Sequence, residues 1–525
     1  SVFGLLSGTM TDDDLQAVQR AMAPILSRHR DAVLLNEQLF ARVDAVHAER
    51  ADLDLDTEQM RLLTETWKRF VRGGANLPPD RKEQLKTLNE ELSLLSVSFG
   101  ENVLKETNRF ELVIEDEADL AGLPAGVVAA AAEAAAQRDR SEQWVVTLHK
   151  PSFIPFLQYA ENRALREKVF KAYAGMGDHG DELDNKETLV RMADLRARRA
   201  QLLGFPTHAH YVLDDNMAGD PEAVYDLLQK VWEPAVARAG DEVAEMQAII
   251  DAEGGGFELA PWDWWYYAEK VKKAKYDLDE EMLRPYFEMS RVRQGVFDVA
   301  GKLWGLEFTR RDDVPVWHEE VETFQVSDAE GNVVALLMTD YFPRTSKRGG
   351  AWMNAFVKQR YEDGERVAPV IYNVGNFTKP TADTPGLLSM DEVGTMFHEF
   401  GHALHGMLSD CRYRSLSGTS VARDFVELPS QIMENWAFEP EVLDMYARHY
   451  ETGEPIPAEL KEKIRKAKHF NQGFVTTEYV AASFLDMDWH TLEQAGGQDA
   501  NRFEQESMDR IGLIPEIISR YRSPY

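Results

Sequence analysis

Cysteine is nearly absent from this chain: Cys411 is the single one in 525 residues. A disulfide framework is therefore excluded, and so is a metal cluster built on thiolates. Cations are scarce as well, 58 Lys+Arg against 90 Asp+Glu, for a formal net charge of -32. That balance argues against nucleic acid as a partner, because phosphate binding needs clustered positive charge. No apolar run approaches the roughly 18 residues of a membrane span. The opening "SVFGLLSGTMTDDDLQ" has no basic region followed by a long apolar stretch, so it does not read as a signal peptide. It also lacks an initiator methionine, and the expectation is a start that has been trimmed. What remains fits a cytoplasmic protein. Hydrophobic residues make up 44% of the chain, ample for a large core, whether in two to four domains or in one large helical enzyme.

Helical signals dominate what is present. "TDDDLQAVQRAMAPILSRHRDAVL" predicts a helix capped by Thr11, with an acidic first turn and apolar residues at three- and four-residue spacing. Residues 57–105 continue in this style, and the alanine-rich "AGVVAAAAEAAAQRD" (125–139) reads as a plain helix. "SEQWVVTLHKPSFIPF" reads as β-like chain broken by prolines. It places a boundary between an N-terminal helical region, 1–150, and a catalytic region, 151–525, whose lobes are free to interleave. The main β signal lies between 320 and 378. "EVETFQVSDAEGNVVALLMTDYF" predicts two strands around an Asp-Ala-Glu-Gly turn, and "VAPVIYNVGNFT" predicts a third. "SKRGGAWMNAF" sits between them, with Gly349 and Gly350 permitting a tight turn or close backbone approach. The aromatic cluster Trp262, Trp264, Trp265, Tyr266 and Tyr267 reads as helix core rather than a binding platform. The fold class is mainly α, with a small sheet just ahead of the segment that carries the chemistry.

That segment is "MFHEFGHALHGMLSD" (396–410). Ser389 or Asp391 can cap its helix, and Asp391 and Glu392 suit the positive end. His398 and His402 fall one turn apart on one face, a spacing at which two imidazoles can bind one zinc ion. Glu399 lies beside the first of them, within reach of a zinc-bound water. A lone histidine on an amphipathic helix is ordinarily a packed or surface residue. The full His-Glu-x-x-His string occurs by chance in only on the order of a few chains in a hundred of this length. His405, one turn further on, is open to a packing or a substrate-contact role. Two histidines leave a tetrahedral zinc one protein ligand short. "SGTSVARDFVELPSQIMENWAFEPE" offers Glu427, Glu434 and Glu439, with Asp424 before them. Asp424 and Glu427 also have the spacing of a capping box, although Pro429 argues against a helix already under way at Asp424. Spacing leaves Glu427 and Glu434 equal as third ligand.

Taken together, "MFHEFGHALHGMLS" and "SLSGTSVARDFVELPSQIMENW" resemble the zinc metallopeptidase family of thimet oligopeptidase, oligopeptidase A and peptidyl-dipeptidase, its peptidyl-dipeptidase branch most of all. Supporting segments run along nearly the whole chain, among them "LNEQLFARVDAV", "LLGFPTHAHYVL", "WDWWYYAEKV", "LDEEMLRPYFEM", "SKRGGAWMNAF", "VIYNVGNFTKP", "FLDMDWH" and the final "RYRSPY". The resemblance implies that His398, His402 and Glu427 hold one zinc ion and that Glu399 is the catalytic general base. Asp424 and Gln431 are candidates for orienting the ligands. It implies a helical ellipsoid with a deep central channel, zinc on its floor, and access limited to short, unstructured peptides. The small sheet would line that channel and pair with substrate backbone by strand addition. The substrate-binding residues stay unassigned.

The function so implied is release of dipeptides from peptide C-termini by a monomeric enzyme. The alternative is an oligopeptidase cutting internal bonds of short peptides. Relatives implied by the resemblance begin earlier and continue past Tyr525 through a segment with a histidine and a Gly/Tyr-rich loop whose tyrosines grip substrate. The expectation is therefore a chain truncated at both ends, with an inactive peptide-binding fragment as a third reading.

Overall fold

A computed structural model of the chain describes residues 2–519; Ser1 and the closing "RYRSPY" lie outside the described residues. Nineteen α-helices and nine strands, most of them short, are found among the described residues, so the fold is mainly α. No helix among them is long and apolar enough to cross a membrane.

Local capping chemistry sets many of the helix starts. The first long helix, Asp13–Leu34, is capped by Asp12 and not by Thr11: the Asp12 carboxylate accepts the Leu15 N–H at 2.7 Å. Both residues are good caps, and an aspartate adds negative charge at the positive helix end. Thr57–Arg72 opens on a capping box of Asp56 and Gln59, and Pro79–Arg109 opens on its own proline. The alanine-rich segment forms the helix Ala125–Ala136.

Residues 141–156 differ from the sequence expectation. Trp144–Val146 is a strand, paired antiparallel with Leu112–Ile114, but Lys150–Tyr159 is a helix. Pro151 sits in its first turn, where no intrahelical donor is needed. Burial at helical spacing does the rest: Phe153, Phe156 and Leu157 are at most 1% exposed. They pack with Leu112, Ile114, Val169 and Phe170 in a cluster that spans residue 150.

The main sheet has five strands: β1 (Glu307–Arg310), β2 (Glu322–Ser327), β3 (Val333–Asp340), β4 (Trp352–Val357) and β5 (Val370–Val374). Their order is β1-β2-β3-β5-β4, antiparallel except for the β3–β5 pair. The hairpin turn Asp328–Gly331 forms as its sequence predicts, with Gly331 at φ 83°. "SKRGGAWMNAF" holds a strand that the sequence reading passed over: β4, at the sheet edge, follows a turn where Gly350 adopts φ 86°. β1 and the hairpin Arg360–Glu362/Glu365–Val367 were likewise not legible.

Two helices complete the site. They are α1 (Met390–Met407) and α2 (Leu428–Ala437). One face of the sheet (Leu337, Ala355, Ile371) packs with Phe397, Phe400 and Ala403 of α1 and with Val296 and Phe297 of the helix Met289–Trp304 in the largest apolar cluster. The opposite face receives Leu5 against Met338, Tyr372 and Val374. Within this second face Asp340, fully buried, is held by Lys347 at 2.8 Å, by Arg344 and by the Trp317 indole N–H. The aromatic cluster is core in part: Trp264 is 0% and Tyr267 6% exposed.

Candidate metal centre

α1 begins with a capping box. Ser389 Oγ accepts the Glu392 N–H at 3.1 Å, and Glu392 returns a carboxylate oxygen to the Ser389 N–H at 2.8 Å. Glu392 also accepts from the Thr378 backbone and hydroxyl. Burial pushes its carboxyl up, and the neighbouring Arg284 guanidinium pulls it back down. The helix is thereby fixed at its first turn, with Glu392 six residues ahead of His398.

His398 and His402 project from one face, their ring centroids 4.9 Å apart and the planes nearly perpendicular. α2 crosses α1 at Gly401, where a Cβ would stand 2.5 Å from Pro429 O and 2.6 Å from Ser430 Cα. This close approach carries Glu427, the residue immediately before α2, onto the imidazoles. Glu427 Oε2 lies 3.3 Å from His398 Nε2 and 3.1 Å from His402 Nε2. Ser430 donates its hydroxyl hydrogen bond to the same oxygen at 2.8 Å. The rival Glu434 meets the other side of the ring: its Oε1 lies 2.7 Å from His398 Nδ1. The two glutamates that sequence spacing left equal thus stand in different places.

His398, His402 and Glu427 are the one group of potential metal ligands among the described residues, their donor atoms all within 4.8 Å of one another. Ligand atoms held tetrahedrally at zinc distances of about 2.0–2.2 Å stand about 3.3–3.5 Å apart. The 3.3 Å separation meets that spacing and the 3.1 Å one falls slightly short of it. The donor set, two imidazoles and a carboxylate, also suits a divalent metal with a position left open. The three residues fit such an ion.

The electrostatics follow from burial and neighbours. Hydrogen bonding to Glu434 holds the His398 imidazole above its usual range, whereas burial lowers His402 and His405. Glu399 is 6% exposed, and one of its oxygens, Oε2, is buried without a hydrogen-bond partner among the described residues. Burial pushes its carboxyl up to about 7; the charge on His398 opposes this and that on Glu427 adds to it. A carboxylate so placed is poised to exchange a proton near neutral pH.

The structure does not bring Asp424 or Gln431 to the ligand atoms. Asp424 accepts the Met217 N–H at 2.5 Å, and the main chain of Gln431 makes the first helical bond of α2, back to Glu427. Glu439 stands at the N-cap position of the next helix, Pro440–Tyr446, without a side-chain cap hydrogen bond. His405 lies edge-on to Phe425, ring centroids 6.4 Å apart. Sequence reasoning missed Ser430 and Gly401, and it considered Glu434 only as a ligand. The string "HEFGH" held the signal for Gly401, since a glycine between two ligands on a buried helix face marks a close crossing. Three apolar side chains flanking Glu427, Phe425, Leu428 and Ile432, are 46–48% exposed and border the site.

The chain is similar to known proteins along its whole length. The model of Peptidase family M3 matches residues 156–521. The chain is 43% identical to dipeptidyl carboxypeptidase of Escherichia coli (strain K12), over 100% of this chain and 77% of that protein. It is 42% identical to the dipeptidyl carboxypeptidase of Salmonella typhimurium, with the same coverage. Against oligopeptidase A of Salmonella typhimurium identity is 36%, over 92% of this chain and 72% of that protein.

Proposed function

We propose a function from one premise: this chain belongs to peptidase family M3. It hydrolyses short peptides and releases dipeptides from their C-termini. The observation that carries the reading is the convergence of His398 Nε2, His402 Nε2 and Glu427 Oε2, with Glu399 as the neighbouring base. These three residues would hold one zinc ion. A zinc ion held there would supply a Lewis acid for the scissile carbonyl and for an attacking water, whose proton it would make acidic near neutrality. Glu399 receives that proton on its carboxylate and passes it to the nitrogen of the leaving amine. Burial keeps the Glu399 carboxyl matched to this two-way transfer. Glu434, at His398 Nδ1, fixes that ring with its other nitrogen toward the metal. The exposed edge of β4, the strand beside α1, can hydrogen-bond an extended peptide backbone. Phe425, Leu428 and Ile432 offer its side chains an apolar border. The same reading takes the protein to be a cytoplasmic monomer whose 151–525 region carries the chemistry.

The relatives named oligopeptidase A favour a second reading, cleavage at internal bonds. A peptide supplied with a free and with an amidated C-terminus separates the two. Dipeptide release from the free acid alone supports the first reading, and equal cleavage of both forms supports the second. Glu399→Gln should retain zinc and lose hydrolysis; a variant cutting at the parent rate would remove Glu399 from the mechanism.

A further inference from the structure

His398 and His402 differ in how their second nitrogens are served. His398 Nδ1 has Glu434, whereas His402 Nδ1 is buried with no hydrogen-bond partner among the described residues. A second buried polar group is Asn373 on β5: it is 0% exposed, its amide N–H is within hydrogen-bonding reach of the Tyr341 phenol, and its Oδ1 has no hydrogen-bond partner among the described residues.

The register brings the two residues level. Ile371 faces α1, because a Cβ on Gly406 would stand 2.8 Å from its Cδ1. Strand side chains alternate, so Asn373 points to the same side as Ile371, about 6.6 Å further along. On α1 that distance is about four residues. Tyr341 fixes the direction. It follows Asp340, which pairs with Val374, so it lies beyond Asn373 as seen from Ile371. Its phenol accepts a hydrogen bond from the Asn373 amide and is within electrostatic reach of Glu399. Asn373 therefore sits between the level of Gly406 and that of Glu399, where α1 carries His402 and Ala403. Glu399 Oε2 is the remaining unpartnered atom of this buried layer. Three polar atoms, His402 Nδ1, Asn373 Oδ1 and Glu399 Oε2, are thus left without a partner among the described residues in the layer where sheet and helix meet. Buried waters typically satisfy such groups, with two to four hydrogen bonds each.

We propose that Asn373 is the positioning residue of His402: through one buried water its carboxamide takes the hydrogen bond of His402 Nδ1–H and holds the ring in the tautomer that leaves Nε2 free for the metal. The same water donates to Glu399 Oε2, so ligand and base share one support. This inference rests on the reading of His398, His402 and Glu427 as a metal site, and it gives His402 the orientation that Glu434 gives His398. A ligating imidazole needs such a partner, since the tautomer decides which nitrogen carries a lone pair.

The test compares Asn373→Leu, close in shape and without polar atoms, with the parent chain and with His402→Gln. Zinc affinity is measured by competition with a chelator, beside thermal unfolding of the metal-free proteins. The expected result is an affinity lower by about 10- to 100-fold in Asn373→Leu, the range seen when ligand support is removed, without a matching loss of metal-free stability. Affinity unchanged in Asn373→Leu but lost in His402→Gln would overturn this inference alone. Affinity unchanged in His402→Gln would overturn the metal site and the inference together. Should Asn373→Leu not fold, nitrogen NMR of the metal-free parent with labelled histidine decides: His402 as the Nδ1–H tautomer is expected, and Nε2–H as the main form overturns the proposal.

Discussion

Three glycines of α1 turn the crossing of the two site helices into a quantitative test. Gly394, Gly401 and Gly406 are all helical, so replacement by alanine gains the same intrinsic helix stability, about 0.5–1 kcal/mol. Their surroundings differ. An added Cβ at Gly394 meets nothing within 4 Å. At Gly406 it comes 2.6 Å from Met353 Cε and 2.8 Å from Ile371 Cδ1, both ends of flexible side chains. At Gly401 it meets main chain, Pro429 O at 2.5 Å and Ser430 Cα at 2.6 Å. Ordinary carbon contacts begin near 3.5 Å, so α2 must retreat by about 1 Å. Overpacking of this kind costs about 1–3 kcal/mol. Gly394→Ala should therefore be stabilised by its full propensity gain, Gly406→Ala should stay near neutral, and Gly401→Ala should fall about 1–3 kcal/mol below Gly394→Ala. The retreat also withdraws Glu427 from its 3.1 and 3.3 Å contacts with the imidazoles. Zinc affinity in Gly401→Ala should drop by at least about 10- to 100-fold, while Gly394→Ala keeps the parent value. Denaturant unfolding of the metal-free proteins and chelator competition read the two quantities separately. A Gly401→Ala variant as stable as Gly394→Ala and binding zinc like the parent would refute the argument that backbone contact at Gly401 places Glu427.

Glu434→Gln keeps the shape beside His398 Nδ1 and removes the charge, so zinc affinity should weaken by about 10- to 100-fold, whereas Glu427→Gln should abolish tight binding; elemental analysis after dialysis ranks the two. In the metal-free protein Glu399→Gln should be stabilising above pH 7 by up to about 3 kcal/mol, because burial raises the Glu399 carboxyl to about 7 from 4.5. The sign follows from proton binding: between pH 4.5 and 7 the folded parent holds the proton that the unfolded chain has released, so parent stability falls as pH rises and the gap closes toward pH 4.5. Unfolding curves at pH 4.5 and 8 check it. Asp340→Asn strands the buried Lys347 ammonium and should cost about 3–5 kcal/mol. Arg344 and Lys347 hold the Asp340 carboxyl below its usual 3.8 against burial, so its contribution is complete above that pH and is lost as pH falls through the lowered value. The deficit of the variant, measured by unfolding, should shrink in acid.

The sequence by itself determined what local physics controls. The helical period put His398 and His402 on one face, Ser389, one of two candidate caps, marked the start of their helix, and an Asp-Ala-Glu-Gly turn set the β2–β3 hairpin. Those features depend on neighbours within four residues, and such neighbours are visible in a string of letters. Between residues 150 and 159 local signals misled: prolines spoke for a break, and burial of Phe153, Phe156 and Leu157 in a cluster drawn from other segments won. β4 was passed over for a related reason, since its place at the sheet edge is set by β5, which follows it in the chain. The third corner of the proposed metal centre belongs wholly to tertiary structure. Glu427 and Glu434 are two turns apart on one segment, and no spacing rule separates them. Family resemblance favoured Glu427. The geometry that puts it at both Nε2 atoms, with Glu434 behind His398, comes from two helices touching at Gly401, where the missing side chain lets their backbones meet.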